Sequence, residues 1–237
     1  MSDILLKVGS LNAWYGRAQV LFDLGLEVRR GEVVALMGRN GAGKSTTMKA
    51  VMGMLERRRG DVAFMGHDIA ALDPFRIARL GLGFVPENRR IFTDLSVVEN
   101  LEIGRQPPRP GIPAWTHERL FKLFPNLGEM PGRMGGSMSG GEQQMLTVSR
   151  TLMGNPYLVL LDEPSEGVAP VIVEQMADMI LALKEQGVSI LLSEQNLHFA
   201  ELVSDRAYVL EKGQIRFEGS MEEVAENQQI RKAYLEV

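Results

Sequence analysis

The chain has 237 residues, 45% of them apolar, which is enough for a substantial core, and a net charge of −4 that suggests no nucleic-acid partner. It has no cysteine, so neither a disulfide framework nor a thiolate metal site is open to it. The N-terminus MSDILLKVGS is acidic where a signal peptide is basic, and the apolar runs are strand-length against the ~20 residues that span a bilayer. The chain is therefore expected not to cross a membrane unaided.

In chain order, residues 5–8, 24–29 and 32–37 read as short strands separated by turn signals. The last of these enters a glycine-rich loop, and a helix is expected over 44–55. The basic run Arg57-Arg58-Arg59 is expected at that helix's solvated end, where the helix dipole favours cations. Residues 92–155 differ in character: helical stretches at 97–103, 116–124 and 140–153 surround a loop rich in proline and glycine at 107–113. This region reads as a helical insert within an α/β core.

Residues 157–161 and 188–192 are unbroken apolar runs, as expected of strands covered on both faces of a parallel sheet. Between them Pro170 opens a helix and Gly187 closes it, with Ile172, Met176, Met179, Ile180 and Leu183 on one face. Residues 207–211 and 214–218 flank Lys212-Gly213, a hairpin signal. Ser220 with Glu223 has the spacing of a capping box opening a final helix.

Three segments carry chemistry. Gly38, Arg39, Asn40, Gly41, Ala42, Gly43, Lys44 and Ser45 match G-x-x-x-x-G-K-[ST], with Thr46 following. Glycines there let backbone N–H groups cradle a polyphosphate, Lys44 can reach the β and γ phosphates, and the Ser45 hydroxyl can ligate Mg²⁺. In the run Leu158-Val159-Leu160-Leu161-Asp162-Glu163, Asp162 is placed to hold Mg²⁺ and Glu163 to polarise an attacking water. Alone, these adjacent carboxylates could instead be ordinary helix-capping residues. In the third segment, Ser139, Gly140, Gly141, Glu142 and Gln143 open a helix with capping-box spacing. Two glycines at a helix start cost roughly 1 kcal/mol each in propensity, but they allow an anion to approach the helix N-terminus.

With these segments in hand, the sequence resembles the ABC ATPase family from end to end. SGGEQ is similar to that family's signature motif, here preceded by Met138 where leucine is usual. The resemblance implies a phosphate-loop (RecA-like) α/β core, an antiparallel β subdomain and a helical subdomain. Residues 1–86 and 156–237 would form the core with its β subdomain, and 87–155 the signature-bearing helical part. It also implies a head-to-tail dimer in which the signature completes the partner's ATP site, and assigns Tyr15 to stacking on adenine, although either Tyr15 or adjacent Trp14 could instead be core.

Three positions depart from the general family pattern: Glu87 stands where glutamine is common, Ala169 where aspartate is typical, and Gln195 where a switch histidine is typical. Together they resemble the second ATPase subunit of branched-chain amino acid importers and their relatives, which also carry urea, amides or aromatic acids. The resemblance then implies ATP and Mg²⁺ as ligands, with Ser45, Asp162 and Glu87 on the metal side and Glu163, Gln195 and Glu87 in hydrolysis. Its implied partners are an identical or paralogous ATPase, transmembrane permease subunits and, indirectly, an extracytoplasmic solute-binding protein. Its implied location is the cytoplasmic face of the inner membrane. A soluble ABC protein of translation or DNA repair, and a non-hydrolysing regulatory module, are the rival readings. His198 reads as a surface or packing residue.

Overall fold

The computed structural model describes residues 3–235 and builds them on two sheets. Strands β1 (Ile4–Tyr15), β2 (Ala18–Arg29), β4 (Arg57–Phe64) and β5 (His67–Asp68) form an antiparallel sheet in the order β2-β1-β4-β5. A six-stranded sheet runs β10-β9-β3-β8-β7-β6, from β3 (Val33–Met37), β6 (Leu82–Val85), β7 (Leu158–Asp162), β8 (Ser189–Glu194), β9 (Arg206–Glu211) and β10 (Gln214–Ser220). All of its pairings are parallel except the β9–β10 hairpin. The hairpin turns on Lys212 and Gly213 with φ of 47° and 76°, the two positive values that a tight primed turn needs.

The apolar runs of β7 and β8 are unbroken because both faces are covered. Leu158, Leu160 and Leu191 pack toward the antiparallel sheet and helix α1 (Lys44–Val51). Val159, Leu161, Ile190 and Leu192 pack toward α6 (Gly140–Leu152) and α7 (Pro170–Glu185). On α7, Met176, Met179, Ile180 and Leu183 are buried as the helical period requires, while Ile172 is half-buried. The capping boxes form at both expected places. Ser139 N–H donates to Glu142 Oε2 at 2.6 Å at the start of α6, and Ser220 N–H donates to Glu223 Oε2 at 2.7 Å at the start of α9 (Met221–Glu226).

Several expectations need correction. Strands β1 and β2 are 12 residues each, longer than 5–8 and 24–29 suggested, because register shifts along their pairing break the period-2 alternation. Helix α1 ends at Val51, not at 55, where Met52 caps it and Gly53 turns the chain with φ of 71°. Arg57-Arg58-Arg59 lies in β4, not at a helix end. Arg58 nonetheless reaches α1, donating to the carbonyls of Ala50 and, at 3.2 Å, Val51, so the cation meets the helix C-terminus from the adjacent strand. Burial holds its guanidinium below its usual range, against the charge of Asp68. Arg57 lies over the Trp14 ring at 4.6 Å.

The sequence reading also passed over β6 and α2 (Pro74–Leu80). Four residues at a sheet edge, one of them Gly83, carry little period. Helices α3 (Val97–Gly104), α4 (His117–Leu123), α5 (Pro125–Glu129) and α6 lie between β6 and β7 in the chain. Buried Asn100 braces the loop that leads into them. Its side chain accepts from Phe92 N–H and donates to the carbonyls of Phe92, Leu95 and Ser96 at 3.0–3.1 Å.

Candidate active site

The site lies at the carboxyl edge of the parallel strands, where open α/β sheets present loops and helix N-termini. Strand β3 runs out at Met37 into the glycine-rich loop. At Gly38 that loop passes so close to β9 that a Cβ would stand 2.4 Å from Leu210 O, so a side chain there must displace backbone. Beyond the loop α1 begins, and a cavity of about 250 Å³ opens among Val20, Gly41, Gly43, Lys44, Ser45, Thr46 and Glu163.

Lys44 is 3% exposed and folded back on its own loop. Its Nζ donates to Gly38 O at 2.6 Å and Arg39 O at 3.2 Å, and pairs with Glu163 Oε1 at 3.0 Å. Ser45 Oγ donates to Asp162 Oδ1 at 2.9 Å, bringing together two side chains 117 residues apart. Burial pushes the Asp162 carboxyl up, against the hydrogen bonds of Ser193 and Ser45. Glu163 sits in the left-handed region at φ 47°, a conformation that costs a non-glycine residue of order 1–3 kcal/mol and is found at functional sites. Burial works to raise its carboxyl, yet the hydrogen bonds of Glu166 and Lys44, with the Lys44 charge, hold it below the usual range.

Two residues that the sequence reading missed organise this edge. Ser193, at the end of β8, donates through Oγ to Asp162 Oδ1 at 2.7 Å and accepts the Glu163 N–H at 3.0 Å, so it holds the Asp162 carboxylate and the Glu163 backbone together. Glu194 is buried and accepts from Ser165 Oγ at 2.7 Å, Gln195 N–H at 2.9 Å and Asn196 N–H at 3.0 Å. Burial pushes its carboxyl up. A serine and an acid closing a buried apolar run were the available signal.

The remaining candidates lie apart. Tyr15 ends β1 with 49% of its surface exposed, while Trp14 is half-buried beneath Arg57; of the two aromatics, Tyr15 is the one with a free face. Arg39, Asn40, Gly41 and Ala42 line a separate concavity with Lys212 and Tyr234. Exposed Glu87 borders a cavity of about 320 Å³ that Asp162 and Lys49 also line. The loop carrying it is tied to α6, because Thr147 Oγ1 donates to Arg89 O at 2.8 Å and Arg150 Nη2 donates to Arg90 O at 2.6 Å. Ser139, Gly140, Gly141 and Glu142 do not line the phosphate-loop cavity. Gln195 is half-buried and His198 exposed.

A model of the ABC transporter family matches residues 21–166, more than half of the chain. The chain belongs to the ABC transporter family. It is 40% identical, over 98% of its length and 99% of the relative's, to the high-affinity branched-chain amino acid transport ATP-binding protein BraG of Pseudomonas aeruginosa. It is also 34% identical to the lipopolysaccharide export system ATP-binding protein LptB of Escherichia coli, over 94% of this chain and 93% of that one. Among solved structures, the ADP conformation of an ATP-binding cassette of an ABC transporter superposes with a TM-score of 0.81 at 27% identity, covering 98% of both chains.

This ABC ATPase binds and hydrolyses ATP as a subunit of a transporter, and the α/β sheets with phosphate loop are the fold expected. Among its described residues no group of three or more histidine, cysteine or acidic side chains could hold a metal. The Ser45–Asp162 pair fits Mg²⁺ nonetheless, since that ion usually takes one or two protein ligands and fills its shell with substrate phosphates and water.

Gln195 offers a neutral amide donor near the end of β8, one that cannot titrate. If Gln195 donates to the developing phosphate charge, Gln195→Ala should slow ATP turnover on the order of 100-fold. His198→Ala should leave the pH profile of ATPase activity unchanged. A change in that profile on His198→Ala would transfer the role to the histidine.

Proposed function

We propose that the chain powers an importer of branched-chain or other hydrophobic amino acids from the cytoplasmic face of the inner membrane, hydrolysing ATP held between two head-to-tail cassettes. The observation that carries the catalytic part is the meeting of Lys44, Ser45, Asp162 and Glu163 at one strand edge. Incoming phosphates replace Gly38 O, Arg39 O and Glu163 as acceptors for Lys44, with the loop amides from Gly38 to Thr46 around them. Ser45 and Asp162, with Glu87, would hold Mg²⁺, which would supply positive charge against that of the phosphates. Glu163, released from Lys44, takes the proton of the attacking water, and Gln195 donates to the γ-phosphate. Tyr15 stacks on adenine.

The dimer reading draws on the signature residues standing outside this chain's own phosphate cavity. From there Ser139 and Gly141 serve the partner's γ-phosphate, with Gly140 and Glu142 completing the helix end. No helix among the described residues is long and apolar enough to cross a membrane, so transport needs a permease. A groove of about 550 Å³ where the helical part, residues 87–155, meets α2 and β6, with exposed Phe75, Phe92 and Ile103 on its walls, offers a place to dock one.

The amino-acid assignment rests on the full-length similarity to BraG, and similarity to LptB supports export of an amphiphilic lipid as a second reading. Reconstitution separates them. The chain should co-purify with an inner-membrane permease, and in proteoliposomes its ATPase rate should rise when a leucine-loaded binding protein is added outside. Stimulation by lipopolysaccharide without any response to leucine would move the assignment to export.

A further inference from the structure

Backbone contacts tie the phosphate loop at its flanks. Gly213 N–H, in the β9–β10 hairpin, donates to Ala42 O at 2.8 Å, and Gly38 passes tight against Leu210 O. The tip of the loop, Arg39, Asn40 and Gly41, is exposed, and Gly41 and Gly43 take φ of 78° and 113°, the region that glycine's free backbone favours. From that tip a hydrogen bond crosses to the other end of the chain. Arg39 Nη2 donates to Lys232 O at 3.3 Å, across 193 residues, while Arg39 O accepts from Lys44 Nζ at 3.2 Å. Arg39 thereby links the C-terminal segment to the lysine of the phosphate site.

The segment that supplies Lys232 O is itself fixed. Asn227 Oδ1 accepts the Ile230 N–H at 3.0 Å, and Arg231 Nη1 donates to Ala225 O of α9 at 3.1 Å. Ile230 and Tyr234 pack against a buried cluster that includes Met37, the last residue of β3, and Val209 of β9. The final turn, Arg231–Leu235, therefore rests on the strand that runs into the phosphate loop. Its Ala233 and Tyr234 face Arg39, Asn40 and Gly41 across a concavity of about 260 Å³.

We propose that this C-terminal turn braces the phosphate loop, with Tyr234 seating the turn on the sheet and Arg39 tying the tip of the loop to it. Both act as positioning residues, and the inference rests on the loop being the seat of the nucleotide. A glycine-rich tip that samples several shapes binds ATP only in the one whose amides point inward. Apparent affinity then falls with the fraction of molecules in that shape. Without the brace that fraction drops. Once ATP is bound, its phosphates hold the loop themselves, so hydrolysis of bound nucleotide is spared. The brace acts on affinity and not on turnover.

Equilibrium titration of the full chain with fluorescent ATP, and kcat at saturating ATP, test this in Tyr234→Ala, Arg39→Ala and the double variant, with melting curves confirming that each is folded. Arg39→Ala loses a hydrogen bond from a charged donor and should weaken ATP binding about 10-fold. Tyr234→Ala should match it, with kcat within about 2-fold of wild type. Tyr234→Phe keeps the ring that packs on the cluster and should restore wild-type affinity. Tyr234→Leu, a milder truncation, takes the place of alanine if Tyr234→Ala does not fold. Both alanine substitutions remove one and the same contact, so the double variant should bind no more weakly than either single variant. Direct attraction of Arg39 to the phosphates would make the two losses multiply to about 100-fold, and that result overturns the proposal. Wild-type affinity in Tyr234→Ala or in Arg39→Ala overturns it too. Lys44→Ala separates the brace from its basis. If that variant loses ATP binding while the brace variants keep it, the loop remains the nucleotide site and only the brace has failed; ATP binding retained in Lys44→Ala would sink both.

Discussion

Glu163→Gln is expected to lower steady-state ATP turnover by roughly 10²- to 10⁴-fold while leaving nucleotide affinity intact, the range a positioned general base supplies. The amide keeps the shape of the carboxylate and can still accept from Lys44, whose Nζ now lies 3.0 Å from Oε1. It cannot take a proton from water. Affinity should hold or rise, because in the nucleotide-free protein Glu163 competes with phosphate for Lys44 and the neutral amide competes less. ATP that binds but is not hydrolysed should accumulate in a dimer. Single-turnover chemistry and equilibrium titration with fluorescent ATP measure the two quantities separately, and hydrolysis within a few-fold of wild type would remove Glu163 from the water-activating role.

Gly141→Asp, made in a Glu163→Gln background, should abolish ATP-dependent dimerisation while monomers still bind ATP. In the proposed head-to-tail dimer, a carboxylate at that helix start would face the partner's γ-phosphate. At about 4 Å and an effective dielectric near 20, each unit pair of like charges costs ~4 kcal/mol, which weakens association about 10³-fold. A steric effect must be separated from the charge, because a Cβ at 141 would come 2.8 Å from Ile172 Cγ1, at the start of α7. Gly141→Ala carries the same Cβ without the charge and should still dimerise appreciably. Gel filtration with ATP reads all three proteins. A Gly141→Asp dimer of wild-type stability would mean that the signature helix does not meet the partner's nucleotide.

Much of the candidate site was legible because its chemistry is local. The phosphate loop, the capping boxes at Ser139 and Ser220 and the Lys212-Gly213 hairpin are each set within a few residues, by φ requirements and hydrogen-bond rings that short spacings determine. The buried strands β3, β7 and β8 announced themselves by composition, since a strand covered on both faces has no polar side to show. Solvation misled at Arg57-Arg58-Arg59. A basic run looks alike whether it ends a helix or, as here, lies in a strand with Arg58 turned onto the end of α1.

What the sequence by itself determined is therefore the set of groups available: a phosphate loop, an acid pair closing a buried strand and a second glycine-led, capped helix start. Which of those groups meet was decided only by tertiary structure. Parallel strands bring their carboxyl ends together from distant parts of the chain, so Ser45 reaches Asp162 across 117 residues and Ser193 reaches it across 31. The turn after β7 closes with the Glu166 N–H on Glu163 O at 3.2 Å and is anchored to β8 by Ser165 Oγ on Glu194 at 2.7 Å, although nothing in Glu-Pro-Ser-Glu names Glu194 as the partner. Charge and hydrogen-bonding capacity belong to residue types and can be read in one dimension. The distances and desolvation that move a proton or hold a base in place arise only when separate strands are packed side by side.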